Sequence, residues 1–306
     1  MSNWTKKGLI YCPDGESGWD QDSFMTPTPL LLDKNTIRIY GGCRDKAGVS
    51  RIRYIDVASD NPSRILKISE KPSLDIGVNG CFDDNGVILG DVIRVEDRFL
   101  MYYVGFQLVN KVKFLAFSGL AISEDGGENF MRVSDVPICD RSNDSKYFRA
   151  IHTVIMENGK YKTWLGAGGR WKYISGIPYP SYGIWYAESF DGKNFPANDL
   201  VKCISPSSSE YRIGRPRVYK RDNGYEMYYT RDFIKKDYVI GYAISNDGVN
   251  WTRRDELFNM EKSKIGWDSE MCCYPALLDN GKDIFMFYSG NGMGKTGVGY
   301  AQKKQG

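Results

Sequence analysis

The feature that most constrains this chain is a repeat with a period near sixty residues. Short apolar runs ending in small residues recur as IRIYGG (37–42), FLMYYVG (99–105), KTWLGAG (162–168), YEMYYTRD (225–232) and IFMFYSGNG (284–292). Their markers Tyr40, Tyr103, Leu165, Tyr229 and Tyr288 stand 63, 62, 64 and 59 residues apart. Self-similarity at fixed spacing means stacked or radially arranged copies of one supersecondary unit.

Each marker run follows a similar apolar run: 25–33, 86–97, 150–159, 214–224 and 272–281. The intervening DNG or ENG turns are hairpin chemistry. A third run follows at 50–57, 118–126, 183–192, 240–248 and 297–302, and a short fourth one follows an SxDG turn at 129–133, 194–201 and 250–258. No helical pattern of useful length intervenes. Four antiparallel strands repeated around an axis are propeller blades. The expectation is an all-β, five-bladed β-propeller filling residues 1–306 as one domain. The fifth unit lacks a fourth strand, while NWTKKGLIY (3–11) matches NWTRRDELF (250–258). The N-terminal strand is therefore expected to complete the last blade, chance similarity of NWT being the alternative.

Composition narrows the class. Aromatics reach 14%, which suits β-structure and ligand surfaces that stack apolar faces. A formal net charge of +3 is too small to argue for nucleic acid as a partner. Seven cysteines without a CxxC, and one histidine, read as free thiols in a reducing compartment and give no zinc spacing. The first residues lack an apolar leader and no run approaches a membrane span, so the expected location is cytoplasmic. No metal and no cofactor is expected.

If strands are numbered outward from the axis, the first-strand starts and second-strand ends share one face. That face gathers carboxylates Asp20, Asp22, Asp83, Asp84, Asp268 and Glu270, and cations Arg149, His152, Arg212, Arg215 and Arg217. It also takes Arg44, Asp45, Arg231 and Asp232. Asp22, Asp84 and Glu270 are the catalytic candidates, since they are least explained by the repeat. Asp20, Arg44, Asp45, Asp83, Arg149, His152, Trp171, Arg215, Arg231 and Asp268 are the substrate-binding candidates. Each has a plain alternative. Asp20, Asp83 and Asp268 recur after an aromatic, as structural residues do. Arg44–Asp45 and Arg231–Asp232 are possible rim ion pairs, and the aromatic loop 168–183 around Trp171 either covers sugar or packs on itself. The SxDG turns lie on the opposite face and read as Asx turns.

Aromatic-Asp at the strand start, then a Pro or Gly with an apolar run, DNG, MYYxG and GYAxSxDGxxW together resemble five-bladed propeller glycoside hydrolases. These are the arabinanase, xylosidase and invertase relatives and the mannoside phosphorylases, and the resemblance spans essentially the whole chain. It implies a first-blade base or nucleophile at Asp20 or Asp22, a further acid in a middle blade and an acid Glu beyond. YFRAIHT and YRIGRPR are basic where those later acids belong, with Glu210 the nearest, and so look more like the phosphorylases, which bind phosphate with Arg and His.

Three functions follow as expectations. The first is a glycoside hydrolase-like enzyme acting by acid/base chemistry on an anionic or phosphorylated sugar. The second is a glycosyltransferase or phosphorylase in cytoplasmic glycan biosynthesis, using a phosphorylated or nucleotide sugar. The third is a non-catalytic glycan-binding propeller.

Overall fold

The computed structural model describes residues 4–234, 236–258 and 260–304. The chain is all-β with almost no helix. Its strands are β1 (Thr5–Tyr11), β2 (Asp22–Asp33), β3 (Thr36–Arg44), β4 (Ser50–Ala58), β5 (Ile65–Ile68), β6 (Val87–Val95), β7 (Arg98–Gln107), β8 (Leu115–Ser123), β9 (Met131–Arg132), β10 (Phe148–Glu157), β11 (Lys160–Ile174), β12 (Ile177–Ser189), β13 (Val201–Ile204), β14 (Glu210–Arg221), β15 (Gly224–Phe233), β16 (Lys236–Ser245), β17 (Thr252–Arg253), β18 (Cys273–Asp279), β19 (Asp283–Ser289) and β20 (Val298–Lys304).

Among the described residues these form three four-stranded sheets, ordered β2-β3-β4-β5, β14-β15-β16-β17 and β1-β20-β19-β18. An eight-stranded sheet holds β6–β9 and β10–β13, whose two antiparallel halves meet where β10 runs parallel to β8, Phe148 opposite Ala116. The repeat units thus map onto β2–β5, β6–β9, β10–β13, β14–β17 and β18–β20 with β1. The first strand of the chain pairs antiparallel with the last, Thr5 opposite Gln302 and Tyr11 opposite Val298, which covers the edge that β20 would otherwise expose. Asn3 of the matching NWT motif lies outside the described residues.

The core is a cycle of shared clusters. Tyr40 and Ile52 of unit one pack with Val87 and Met101 of unit two. Units two and three share Tyr102, Ile151 and Leu165; three and four share Trp164, Ile213 and Met227; four and five share Tyr228, Leu277 and Tyr288. Ile37 and Ile39 of unit one then pack with Phe285 and Tyr300 of unit five. Polar latches follow the same neighbour order. Tyr40 Oη donates to the Gly127 carbonyl at 2.7 Å, Tyr102 Oη to Gly192 at 2.9 Å, and Trp164 Nε1 to Gly248 at 2.7 Å. Those glycines sit in or beside the SxDG turns. Each turn is an Asx turn: Asp125, Asp191 and Asp247 accept backbone N–H groups two to four residues on. Burial pushes the Asp125 carboxyl up, but bonds from the Ser123 and Asn129 side chains, with those backbone amides, hold it down at about 2.

One irregularity repeats. Every first strand slips register at the same place: at Thr26-Pro27, Gly90, His152, Arg215-Pro216 and Tyr274-Pro275. A bulge leaves its residue unpaired and re-aims the side chain, and it tolerates a proline that has no N–H to give. Thr26, Arg215 and Tyr274 take positive φ of 53°, 54° and 56° there, a conformation that costs a non-glycine residue about 1 kcal/mol or more.

Candidate functional site

The bulges open onto a cavity of about 380 Å³ at the first-strand ends. Thr26, His152, Arg215 and Tyr274 line it, each aimed inward by its own bulge; in unit two the position is Gly90, where a side chain would run into the Ile151 carbonyl. Arg215 is buried and donates to the Leu89 carbonyl, to the Thr26 carbonyl at 3.0 Å and to Thr28 Oγ1 at 3.3 Å. Its Nη1 also lies 3.1 Å from His152 Nδ1. A guanidinium only donates, so Nδ1 accepts and the imidazole proton sits on Nε2. Burial, reinforced by Arg215 and Arg217, holds the His152 pKa well below its ordinary value and keeps the ring neutral. Burial together with the neighbouring Arg217 pushes Arg215 itself down to about 9. Arg217 is not in the cavity wall. It pairs with Asp91 at 2.7 Å and donates to the His152 carbonyl at 2.9 Å, bracing the floor from below.

One wall carries the site's carboxylate. Among the described residues that line the cavity, Asp232 is the one acid. It accepts from Tyr211 Oη and from Arg212 Nε at 2.7 Å, and Arg212 reaches the Tyr238 hydroxyl with its other end. Three rings, Tyr182, Tyr211 and Tyr238, surround that guanidinium at 5.7, 5.0 and 5.2 Å. Burial raises the Asp232 pKa, and it outweighs the opposing pull of Arg212 and the two phenols. A carboxyl in this setting is poised to hold or give a proton. The wall also carries Arg44, from unit one, and Lys113, its Nζ 5.0 Å from the Tyr179 ring centre. Tyr182 is stacked on Phe148 at 4.3 Å, giving a flat apolar wall suited to a sugar ring.

Of the residues the sequence placed on this face, Arg44, His152, Arg212, Arg215 and Asp232 come together here. Asp22 lies half-buried opposite Arg44 in the β2–β3 register, bonded to Ser23 Oγ at 2.6 Å. Asp84 bonds the cavity-lining Asn85 and the Gly80 amide. Glu270 is exposed, on a segment whose amide binds Asn291 Oδ1 at 2.8 Å. None of these three is in the cavity wall.

The repeated acids are engaged elsewhere, inside their own units. Asp20 pairs with Arg53 of β4, Asp83 with Arg132 of β9 at 2.7 Å, and Asp268 with Lys6 of β1 at 2.6 Å. Glu210 fills the same place in unit four, pairing with Arg253 of β17 at 2.7 Å. Unit three reverses the arrangement. Arg149 stands where the acid would be and donates to the carbonyls of Asp140, Pro196 and Ala197. In units two to five the contact ties the start of a first strand to the outer strand or the segment in its place, whereas in unit one Arg53 reaches from the third strand, β4.

The rim pairs also differ from expectation: Asp45 lies past the end of β3 and caps the turn that follows, while Arg231 and Asp232, neighbours along β15, point to opposite faces. Asp45 accepts from Arg51 at 2.8 Å and from the Ala47 and Val49 amides, not from Arg44. Arg231 pairs with Glu210 at 2.7 Å, leaving Asp232 to Arg212. Trp171 packs on Phe114 and Tyr147, at 5.5 and 6.4 Å, outside the cavity wall. Sequence reasoning missed Thr26, Tyr274 and Tyr238 as wall residues, while Tyr179 and Tyr182 of the aromatic loop 168–183 do line the cavity. Thr26-Pro27 and Tyr274-Pro275 shared a visible signal with Arg215-Pro216: an X-Pro step at one repeat position.

No family model matches the chain. Among solved structures it resembles "Glycoside hydrolase" (18% identity, TM-score 0.75, covering 100% of this chain and 93% of that one). It also resembles "Crystal structure of a glycosyl hydrolase from Bacteroides ovatus at 2.30 A resolution" (15%, 0.73, 99% and 93%). A third is "The GH130 family of mannoside phosphorylases contains glycoside hydrolases that target beta-1,2 mannosidic linkages in Candida mannan" (17%, 0.71, 99% and 94%). At these identities the likeness establishes a glycoside hydrolase-like propeller fold. In sequence the chain is 33% identical over 299 residues to "Uncharacterized protein Rv1502" of Mycobacterium tuberculosis strain H37Rv, covering 97% of this chain and 98% of that one. It matches "Uncharacterized protein MT1551" of strain CDC 1551 to the same extent. The chain belongs to the family of these two mycobacterial proteins.

Proposed function

We propose that this is a five-bladed propeller enzyme of carbohydrate metabolism, working in the axial cavity on an anionic or phosphorylated sugar. The cyclic sharing of core clusters by the repeat units supports the blade count. The observation that carries the chemistry is Asp232: one carboxyl, its pKa raised by burial, in a wall otherwise supplied with Arg44, Lys113, Arg212 and Arg215. Hydrolysis by two carboxylates needs a second one about 5–10 Å away. An anion held by guanidinium groups removes that need. In this reading Asp232 gives its proton to the glycosidic oxygen as the bond to the anomeric carbon breaks. A phosphate oxygen, oriented by Arg44 and Arg215, forms the new bond to that carbon. Run backward, the same site makes a glycoside from a sugar phosphate, and Asp232 takes the acceptor's proton.

A second reading is hydrolysis, in which Asp22 or Asp84 supplies the missing base. It is favoured by their place next to wall residues, Asp22 opposite Arg44 in the strand register and Asp84 accepting from Asn85. The two readings separate in one assay, sugar release from a glycoside panel with and without inorganic phosphate. Phosphate-dependent turnover that falls at least about a hundredfold in Asp232→Asn supports the first. Phosphate-independent turnover lost in Asp22→Asn or Asp84→Asn, but kept in Asp232→Asn, overturns it in favour of hydrolysis. Binding of sugar with no turnover in either condition overturns both.

A further inference from the structure

Two segments rise beside the cavity mouth, and their chemistry differs from the rest of the surface. One is the β7–β8 loop, 108–114. The other is the outer end of the β11–β12 hairpin, which stays paired from Arg170 opposite Ser181 to Ile174 opposite Ile177. That extension is about 15 Å long at the usual strand rise. Its two-residue turn, Ser175-Gly176, has φ of 50° and 79°, the combination of a tight type I′ hairpin. The segments are joined. Phe114 packs edge-on to Trp171 at 5.5 Å, and Lys113 covers Tyr179. Together they form one contiguous rim.

The rim leaves large apolar groups in water. Leu108 is 62% exposed, Tyr173 68% and Ile177 44%. Its charge is one-sided: Lys111, Lys113, Arg170 and Lys172, with no Asp or Glu in 108–114 or 168–182. These four cations exceed the +3 net charge of the whole chain, so the remainder of the molecule is close to neutral or slightly negative. Next to it, 140–147 is balanced, Arg141 and Lys146 standing against Asp140 and Asp144, so the excess of positive charge belongs to the rim itself. Apolar tips flanked by lysines are complementary to an anionic lipid surface, where the rings and aliphatic tips enter the headgroup boundary and the ammonium groups meet lipid phosphates.

We propose that this rim docks the protein peripherally on an anionic membrane, with the cavity mouth facing the lipid headgroups. Among the described residues no helix is long and apolar enough to cross a membrane. Leu108 and Lys113 belong to both the rim and the cavity wall, as do Pro178 and Tyr179. Docking therefore brings the cavity to substrates carried at the bilayer surface. The proposal goes beyond the carbohydrate reading and is tested without it, since its readout is partition and not turnover.

The experiment is co-sedimentation of the full chain with vesicles of phosphatidylcholine containing about one third phosphatidylglycerol, against pure phosphatidylcholine. Partition onto the anionic vesicles is expected at low salt, and its loss near 1 M salt, where screening extends only about 3 Å. Lys111→Gln with Lys172→Gln is expected to weaken partition roughly thirtyfold, at about tenfold per 1.4 kcal/mol and about 1 kcal/mol per charge. Tyr173→Ser with Ile177→Ser is expected to weaken it at least about tenfold while leaving the salt dependence in place. These four side chains are exposed, so circular dichroism and thermal midpoint should match the parent chain. Equal partition onto neutral vesicles, no partition at low salt, or variants that partition like the parent would each overturn the proposal. So would lipid-free self-association abolished by the same variants, which would make the rim a contact between copies.

Discussion

The contact that closes the molecule gives the sharpest test of the fold. Lys6 on β1 reaches Asp268 on the unit-five side at 2.6 Å, and Asp268 is 1% exposed. Its other partners are Tyr288 Oη at 2.9 Å and, more distantly, the Cys272 thiol. Lys6→Met keeps most of the stem's packing and removes the charge. Asp268 is then a buried carboxylate with a phenol for company. Breaking one side of a buried pair costs about 3–5 kcal/mol, and the partial exposure of Lys6 argues for the lower end, about 3. Removing both charges, as Lys6→Met with Asp268→Asn, leaves no stranded ion and is expected to lie within about 1 kcal/mol of the parent chain.

The pH dependence has a definite sign. Burial pushes the Asp268 pKa up, but Lys6, Ser263 and Tyr288 together pull it below the ordinary value. Its contribution is therefore complete above the unfolded pKa of about 3.9 and is lost as pH falls through the lower folded value. In Lys6→Met the same carboxyl keeps the burial and loses the cation, so it takes up a proton at higher pH. The stability gap between parent and variant should thus be widest near pH 7 and narrow on acidification. Guanidinium denaturation of parent, single and double variants at neutral and mildly acidic pH measures this. A single-variant cost below about 1 kcal/mol, or a gap that does not change with pH, would refute the buried-pair argument.

Two further outcomes are expected. Gly90→Ala should cost more than about 3 kcal/mol in the same denaturation assay, because the new methyl group meets the Ile151 carbonyl and lies 2.6 Å from that of Tyr102, with backbone on both sides. His152 is the chain's one histidine, so its ring gives a single pair of proton resonances; these should show no titration in the folded state between pH 8 and about 6.5, and stability should decline as pH drops below about 6.5, where the unfolded chain takes a proton the folded ring refuses.

The repeat and its strands were legible because both are written in periodicities that tertiary context rarely overrides: sixty residues for the unit, two for the strand. The site was legible only in part, for two physical reasons. First, a bulge shifts which residue faces inward, and the eye reading alternation does not see it. Arg215 and His152 were found for their chemistry, whereas Thr26 and Tyr274, at the same bulge, were passed over. Second, an acid beside an aromatic at a strand start looks the same whether it meets substrate or a cation on its own outer strand. Asp83, Asp268 and Glu210 have partners at Arg132, Lys6 and Arg253, one residue type at one place in the N-[FW]-x-[KR] pattern of the fourth strands. Unit three has Ala197 at that place and Arg149 where the acid would stand, the cation having moved to the inner strand and backbone carbonyls having taken the acceptor role. The basic YFRAIHT is thus accounted for by two different causes. Arg149 answers to the architecture of its own sheet, while His152, three residues on, is turned by a bulge into the cavity. Alternation alone already puts residues three apart on opposite faces; the slip between Ile151 and Thr153 adds that His152 itself is left unpaired, at the bulge position whose residues line the cavity.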